Sequence, residues 1–190
     1  MAFGETFARS VHLLLRGTLL LGLWLVLSQQ SLADRLSDTY NGRKVLADFM
    51  VGLAKHVTWP DEAFAGSRSD FVVCVLGPDP FEGSLAAKFG GRRVGPREIV
   101  VRVMEQVPDG GFTGCHQLFI AAGLRAEVKE ILQRLDNLKV LSVSDMEGFA
   151  SAGGMVGVVG SGNRVSMQIN RTALLASGLT VSPALLRLGR

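Results

Sequence analysis

Apolar positions along the chain follow two rhythms. Val45, Leu46, Phe49, Met50, Leu53, Ala54 and Val57 recur at helical spacing, which lines them along one face of a helix. The spacing predicts a helix over Arg43–His56, capped by Ser37 or Asp38 and stopped by Pro60, with Trp59 held extended before the proline. The polar stretch Asp61–Asp70, broken by Gly66 and Ser67, reads as a loop. The rhythm then changes. Phe71–Leu76 (FVVCVL) is an unbroken apolar hexamer, the length and composition of a strand buried on both faces.

The alternation repeats downstream. Gly77-Pro78-Asp79-Pro80 turns the chain into a short helix, Phe81–Phe89, and Gly90–Pro96 reads as a Gly- and Arg-rich loop. Glu98–Met104, Cys115–Ala122 and Lys139–Val143 read as three further strands, with an amphipathic helix over Leu124–Leu135. Met155–Val159 and Arg164–Asn170 flank Gly160-Ser161-Gly162-Asn163, a hairpin signal because glycine and asparagine tolerate positive φ. Val165, Met167 and Ile169 alternate with polar residues, so one side of that arm faces a core. A helix over Arg171–Ser177 and a Leu-rich turn, Pro183–Leu188, follow. Short strands alternating with helices predict a single-domain α/β sandwich: a mixed, largely parallel central sheet of about 5–6 strands, helices on both faces, and a C-terminal β-hairpin.

The first 33 residues follow a different logic. Arg9, His12 and Arg16 precede an apolar run, Gly17–Leu27, and Ser31-Leu32-Ala33 places small residues before Asp34. That is the layout of a secretory signal peptide over 1–33, cleaved before Asp34, leaving 34–190 as the folded domain. The apolar run is shorter than the ~20 residues a membrane-spanning helix needs. The leader holds two of the chain's 20 basic residues and one of its 17 acidic ones, which leaves 18 against 16 and a net charge of +2 after cleavage. So weak a charge gives no reason to expect a polyanionic partner. Both cysteines, Cys74 and Cys115, lie in the exported part, where two thiols are read first as one disulfide. A redox-active pair is the alternative, but it favours thiols close in sequence, as in C-x-x-C.

The remaining chemistry is sparse. Gly157-Val158-Val159-Gly160-Ser161-Gly162 has the wrong glycine order for a phosphate loop, and a strand follows where a helix is required. His56 and His116 fall on different elements, so no metal cluster is expected. Ser144-Asp145 and His116 can be assembled into a nucleophile and base on paper, yet no G-x-S-x-G elbow is present. Arg92, Arg93 and Arg97 form the one basic cluster; without interleaved aromatics it fits a solvated loop or the rim of a protein interface better than nucleic acid.

Several strings taken in order carry a resemblance: Lys55-His56-Val57-Thr58-Trp59-Pro60, Leu76-Gly77-Pro78-Asp79-Pro80-Phe81, Cys115-His116-Gln117-Leu118-Phe119-Ile120 and Val140-Leu141-Ser142-Val143-Ser144-Asp145. Gly148-Phe149, Gly153-Gly154-Met155, Gln168-Ile169-Asn170, Gly178-Leu179 and Leu185-Leu186-Arg187-Leu188 continue it. Together they resemble the YfiR/HmsC-like family of periplasmic regulators, from Asn41 to Arg190. The resemblance implies a non-enzymatic periplasmic inhibitor without a cofactor. It would bind the sensory domain of a YfiN-type inner-membrane diguanylate cyclase, be captured by a YfiB-type outer-membrane lipoprotein, and form homodimers. It also implies that Cys74 and Cys115 bridge two core strands. Some members carry a second cysteine pair after the fourth strand; Met146–Met155 has none here. The residues named as partner-contact candidates are Trp59, Arg92, Arg93, Arg171, Leu185, Leu186 and Leu188, with core packing the competing reading for Trp59 and the leucines. A small-ligand or cell-wall binding module serving another membrane sensor is the alternative function.

Overall fold

The computed structural model describes residues 35–161 and 164–188, without the side chains of residues 161, 164 and 188. The predicted leader, 1–33, and the Gly162-Asn163 part of the predicted hairpin turn lie outside the described residues.

Helix α1, Tyr40–His56, starts three residues before the predicted Arg43. Thr39 is its cap, its hydroxyl accepting from Gly42 N at 3.0 Å. Ser37 and Asp38 belong instead to a single 3-10 turn, Leu36–Asp38, which packs on the helix start. Gly42 permits that approach, because a Cβ there would run into the carbonyl of Leu36. The apolar stripe behaves as its spacing predicts: Leu46, Met50 and Leu53 are fully buried.

Strand β1, Val57–Thr58, pairs antiparallel with β9, Thr180–Val181, in a small sheet of its own. The main sheet has seven strands: β2 Phe71–Leu76, β3 Arg93–Val94, β4 Arg97–Met104, β5 Gln117–Ile120, β6 Leu141–Ser144, β7 Val156–Ser161 and β8 Arg164–Ile169. Their order is β3-β4-β2-β5-β6-β7-β8. The five inner strands run parallel, while β3–β4 and β7–β8 are antiparallel. The sheet exceeds the expected 5–6 strands because the predicted loop Gly90–Pro96 contributes β3. Gly95, at positive φ, and Pro96 reverse the chain there and set Val94 against Arg97.

Alternation along β2 divides the core. Phe71, Val73 and Val75 face α1 and helix α2, Ser84–Phe89; Cys74 and Leu76 face helix α3, Val128–Gln133. Helices therefore cover both faces, as predicted. Two of them are shorter than their periodicity suggested. The Asp79 carboxylate accepts from Phe81 N and Gly83 N, holding residues 79–83 in a turn so that α2 begins only at Ser84. Between Ala121 and Glu127 the backbone bonds three residues apart, and the four-residue ladder begins with Ile131 N to Glu127 O. Helices α4, Arg171–Ala176, and α5, Pro183–Leu188, bring Leu174 and Leu185 onto the α1 side of the core.

Candidate functional site

The cysteines sit side by side. Cys74 lies in the middle of β2 and Cys115 just before β5, its neighbour, with Cα atoms 5.9 Å apart and a disulfide joining them. Both are buried, at 0% and 5% exposure, so a reductant reaches the bridge only through an opening of the core. His116 N, next in sequence, donates to Val72 O at 2.9 Å, extending the β2–β5 ladder beyond the bridge.

His116, next to Cys115 in sequence, belongs to a stack of rings. Trp59 meets Phe71 edge-on at 4.7 Å, Phe71 stacks on His116 at 5.2 Å, His116 stacks on Phe64 at 4.5 Å, and the Arg97 guanidinium lies 3.5 Å over Phe64. Hydrogen bonds tie the layers to the backbone. Trp59 Nε1 donates to His116 O at 2.9 Å, and Val72 N donates to His116 Nδ1 at 2.9 Å. Arg97 Nη1 donates to Gly66 O, Ser69 O and Ser69 Oγ at 2.7, 2.9 and 3.0 Å, clamping the Asp61–Asp70 segment. Since Nδ1 accepts, the neutral ring carries its proton on Nε2. That atom is buried without a hydrogen-bond partner among the described residues. Burial pushes the His116 pKa below the ordinary imidazole value; the Ala63 backbone pulls the other way, and the Arg97 charge adds to the depression.

This arrangement reassigns Trp59. With 6% exposure and its indole N–H satisfied internally, it is a core residue rather than a surface anchor. Leu185 is likewise core at 6% exposure, because α5 packs back beside β8. Leu186 is half-buried and its carbonyl accepts from Arg171 Nη2 at 3.2 Å, so those two candidates do come together. The Leu188 side chain lies outside the described residues. Arg92 and Arg93 are exposed. Arg92 bonds Lys88 O, while Arg93 contacts Pro96 O and pairs with Glu98 at 3.3 Å. Arg93 lines a cleft of about 500 Å³ together with Lys55, Thr58, Trp59, Asp61 and Phe64. Arg97, grouped with them in sequence, is buried at 8% exposure.

The paper assembly of Ser144 and His116 fails on topology. Gln117 pairs with Leu141 and Phe119 with Val143 in parallel register. His116 therefore lies at the start of the strand pair and Ser144 at its far end, four residues or about 13 Å along the strand direction. Ser144 Oγ donates to Ile120 O and accepts from Met146 N, a structural role. Asp145 Oδ2 accepts from Ser37 N at 2.8 Å and fastens the N-terminal turn to the end of β6. Among the described residues no three His, Cys, Asp or Glu side chains converge on a metal position. Sequence reasoning missed the structural roles of Phe64, Arg97 and Asp145. Nothing in the local pattern marks them, since their partners lie far along the chain.

The YfiR/HmsC-like family model matches residues 43–190. The chain belongs to the YfiR/HmsC-like family. The matched segment begins inside α1 and takes in all seven strands of the sheet, the bridge and the ring stack. YfiR/HmsC-like membership points to a periplasmic regulator of diguanylate cyclase signalling. Among the described residues of this YfiR/HmsC-like chain no helix is long and apolar enough to cross a membrane.

Proposed function

We propose that the protein is a periplasmic inhibitor that acts by docking. It binds the periplasmic domain of a YfiN-type inner-membrane diguanylate cyclase, holds that enzyme inactive, and so lowers cyclic di-GMP and biofilm formation. A YfiB-type outer-membrane lipoprotein withdraws it, and the working form is a homodimer released from its leader before Asp34. No reaction is catalysed in this reading.

The family match over essentially the whole α/β unit is the observation that carries it. The physical requirement is modest. A docking protein inhibits by binding the inactive state of its partner better than the active one, and moving a two-state equilibrium from 1:99 to 99:1 takes about 5.5 kcal/mol of differential binding. A cystine-tied core with both cysteines internally paired suits a rigid docking body. Among the described candidates Arg92, Arg93 and Arg171 are exposed and Leu186 is half-buried, and Arg is enriched at interfaces.

Deletion of the gene in a strain that expresses a YfiN-type membrane cyclase tests the reading. Cyclic di-GMP should rise and fall again on complementation with the exported protein. Unchanged nucleotide levels, with the cyclase shown to be expressed and active, would refute it.

A further inference from the structure

His116 sits where a small chemical change reaches a whole segment. The Asp61–Asp70 stretch meets the sheet through Phe64, which lies against the imidazole on one side with the Arg97 guanidinium against its ring as well. Arg97 also holds Gly66 and Ser69. The imidazole therefore supports a clamp built by a residue 19 positions away in the chain.

The ring's fit depends on its being neutral. Nδ1 accepts the Val72 N–H at 2.9 Å, and a second proton would place two donors face to face. The added charge would lie buried, one aromatic ring from the Arg97 cation. Two aromatic faces attract a cation, but Arg97 already competes for the Phe64 ring. The other charged groups on the elements around His116 are Asp61, Glu62, Arg68 and Asp70 on the segment and Lys139 before β6. The four on the segment are exposed and Lys139 is half-buried. None is bonded to the ring.

We propose that His116 is the pin of a proton-operated latch: neutral, it keeps Phe64 and residues 61–70 closed on the sheet, and protonated, it leaves the stack and lets that segment open. Opening removes Phe64 and Asp61 from the wall of the cleft that Arg93 and Trp59 also line. The surface beside β1 thus changes shape in acid, a response that stands whether or not the cyclase is the partner.

Amide exchange resolved by mass spectrometry tests this on the whole protein at about pH 7.5 and about pH 5. After correction for intrinsic exchange, protection in residues 61–70 should fall by about tenfold per pH unit below the ring's free pKa, while β5 and the part of β2 after Val72, whose own N–H bonds the imidazole, stay protected. In His116→Gln, which retains an acceptor for Val72 N–H, protection should not vary with pH. Unaltered protection in the wild type, or the same acid loss in the variant, overturns the latch. If the variant does not fold, NMR titration of the wild-type imidazole decides. A ring that titrates without loss of protection in residues 61–70, or a loss shared equally by the central strands, overturns it as well.

Discussion

Removing the Cys74–Cys115 bridge should cost this protein most of its margin of stability. The bridge joins residues separated by 41 positions. Loop-closure entropy for a ring of that size amounts to about 4 kcal/mol at 25 °C in the chain-entropy model. Cys74→Ala/Cys115→Ala also takes two sulfurs out of a buried site, which adds about 1 kcal/mol each for unfilled space. A loss of about 5–6 kcal/mol is comparable with the whole stability of many domains. At about 2–4 °C per kcal/mol for a chain of this size, Tm should fall by about 10–24 °C. Urea unfolding of the oxidised protein, of the same protein reduced under denaturing conditions and refolded with thiol present, and of the double variant gives three midpoints. The reduced protein should lose about 4 kcal/mol, and the variant slightly more. A double variant within about 1 kcal/mol of the oxidised protein would refute the cross-link as a main source of stability. Native-state reduction should be slow, because both sulfurs are shielded; fast reduction without unfolding would refute the burial argument.

Four other outcomes are expected. His116 has a depressed pKa when folded, so below the free imidazole value of about 6.5 the unfolded chain binds the extra proton. Stability is full above that pH and falls by up to about 1.4 kcal/mol per pH unit towards the folded pKa; urea midpoints for wild type and His116→Gln should diverge there, and parallel curves would refute the assignment. Gly42→Ala should destabilise by about 1–3 kcal/mol through the clash with Leu36 O, although helix propensity alone predicts a gain of about 1 kcal/mol; a raised Tm would show that the N-terminal turn does not pack as described. Thr39→Ala should cost about 1 kcal/mol for the lost cap, read from the denaturation midpoint. Trp59→Phe removes one of the two donors to the buried His116 carbonyl, which keeps Leu141 N, and should cost about 0.5–1.5 kcal/mol; a neutral effect in thermal unfolding would argue that the indole N–H bond contributes nothing.

Much of the architecture was legible before any coordinates. The apolar hexamer Phe71–Leu76 is β2 with the predicted bounds, because a strand covered on both faces needs no polar position. The α1 stripe and the β7–β8 hairpin were equally plain, since each is written in a few neighbouring residues. The cysteine pairing followed from there being two thiols in a domain that the sequence predicts to be exported. The pairing of β1 with β9 left no such trace. Two-residue strands have no period to detect, and their partner lies more than 120 residues away. The fate of Trp59 was open for the same reason: an indole before a proline is core or anchor according to what folds over it.

Local periodicity thus determined where the longer helices and strands lie, which of their faces are apolar, and that a small α/β domain results. Tertiary structure decided what those faces meet. It placed Arg97, Phe64, His116, Phe71 and Trp59 in one stack, and it set Ser144 and His116 at opposite ends of a parallel strand pair. The physical reason is that side-chain patterning acts over a turn of helix or a few strand residues, whereas burial, ring stacking and a shifted pKa are set by neighbours that only the folded chain brings together.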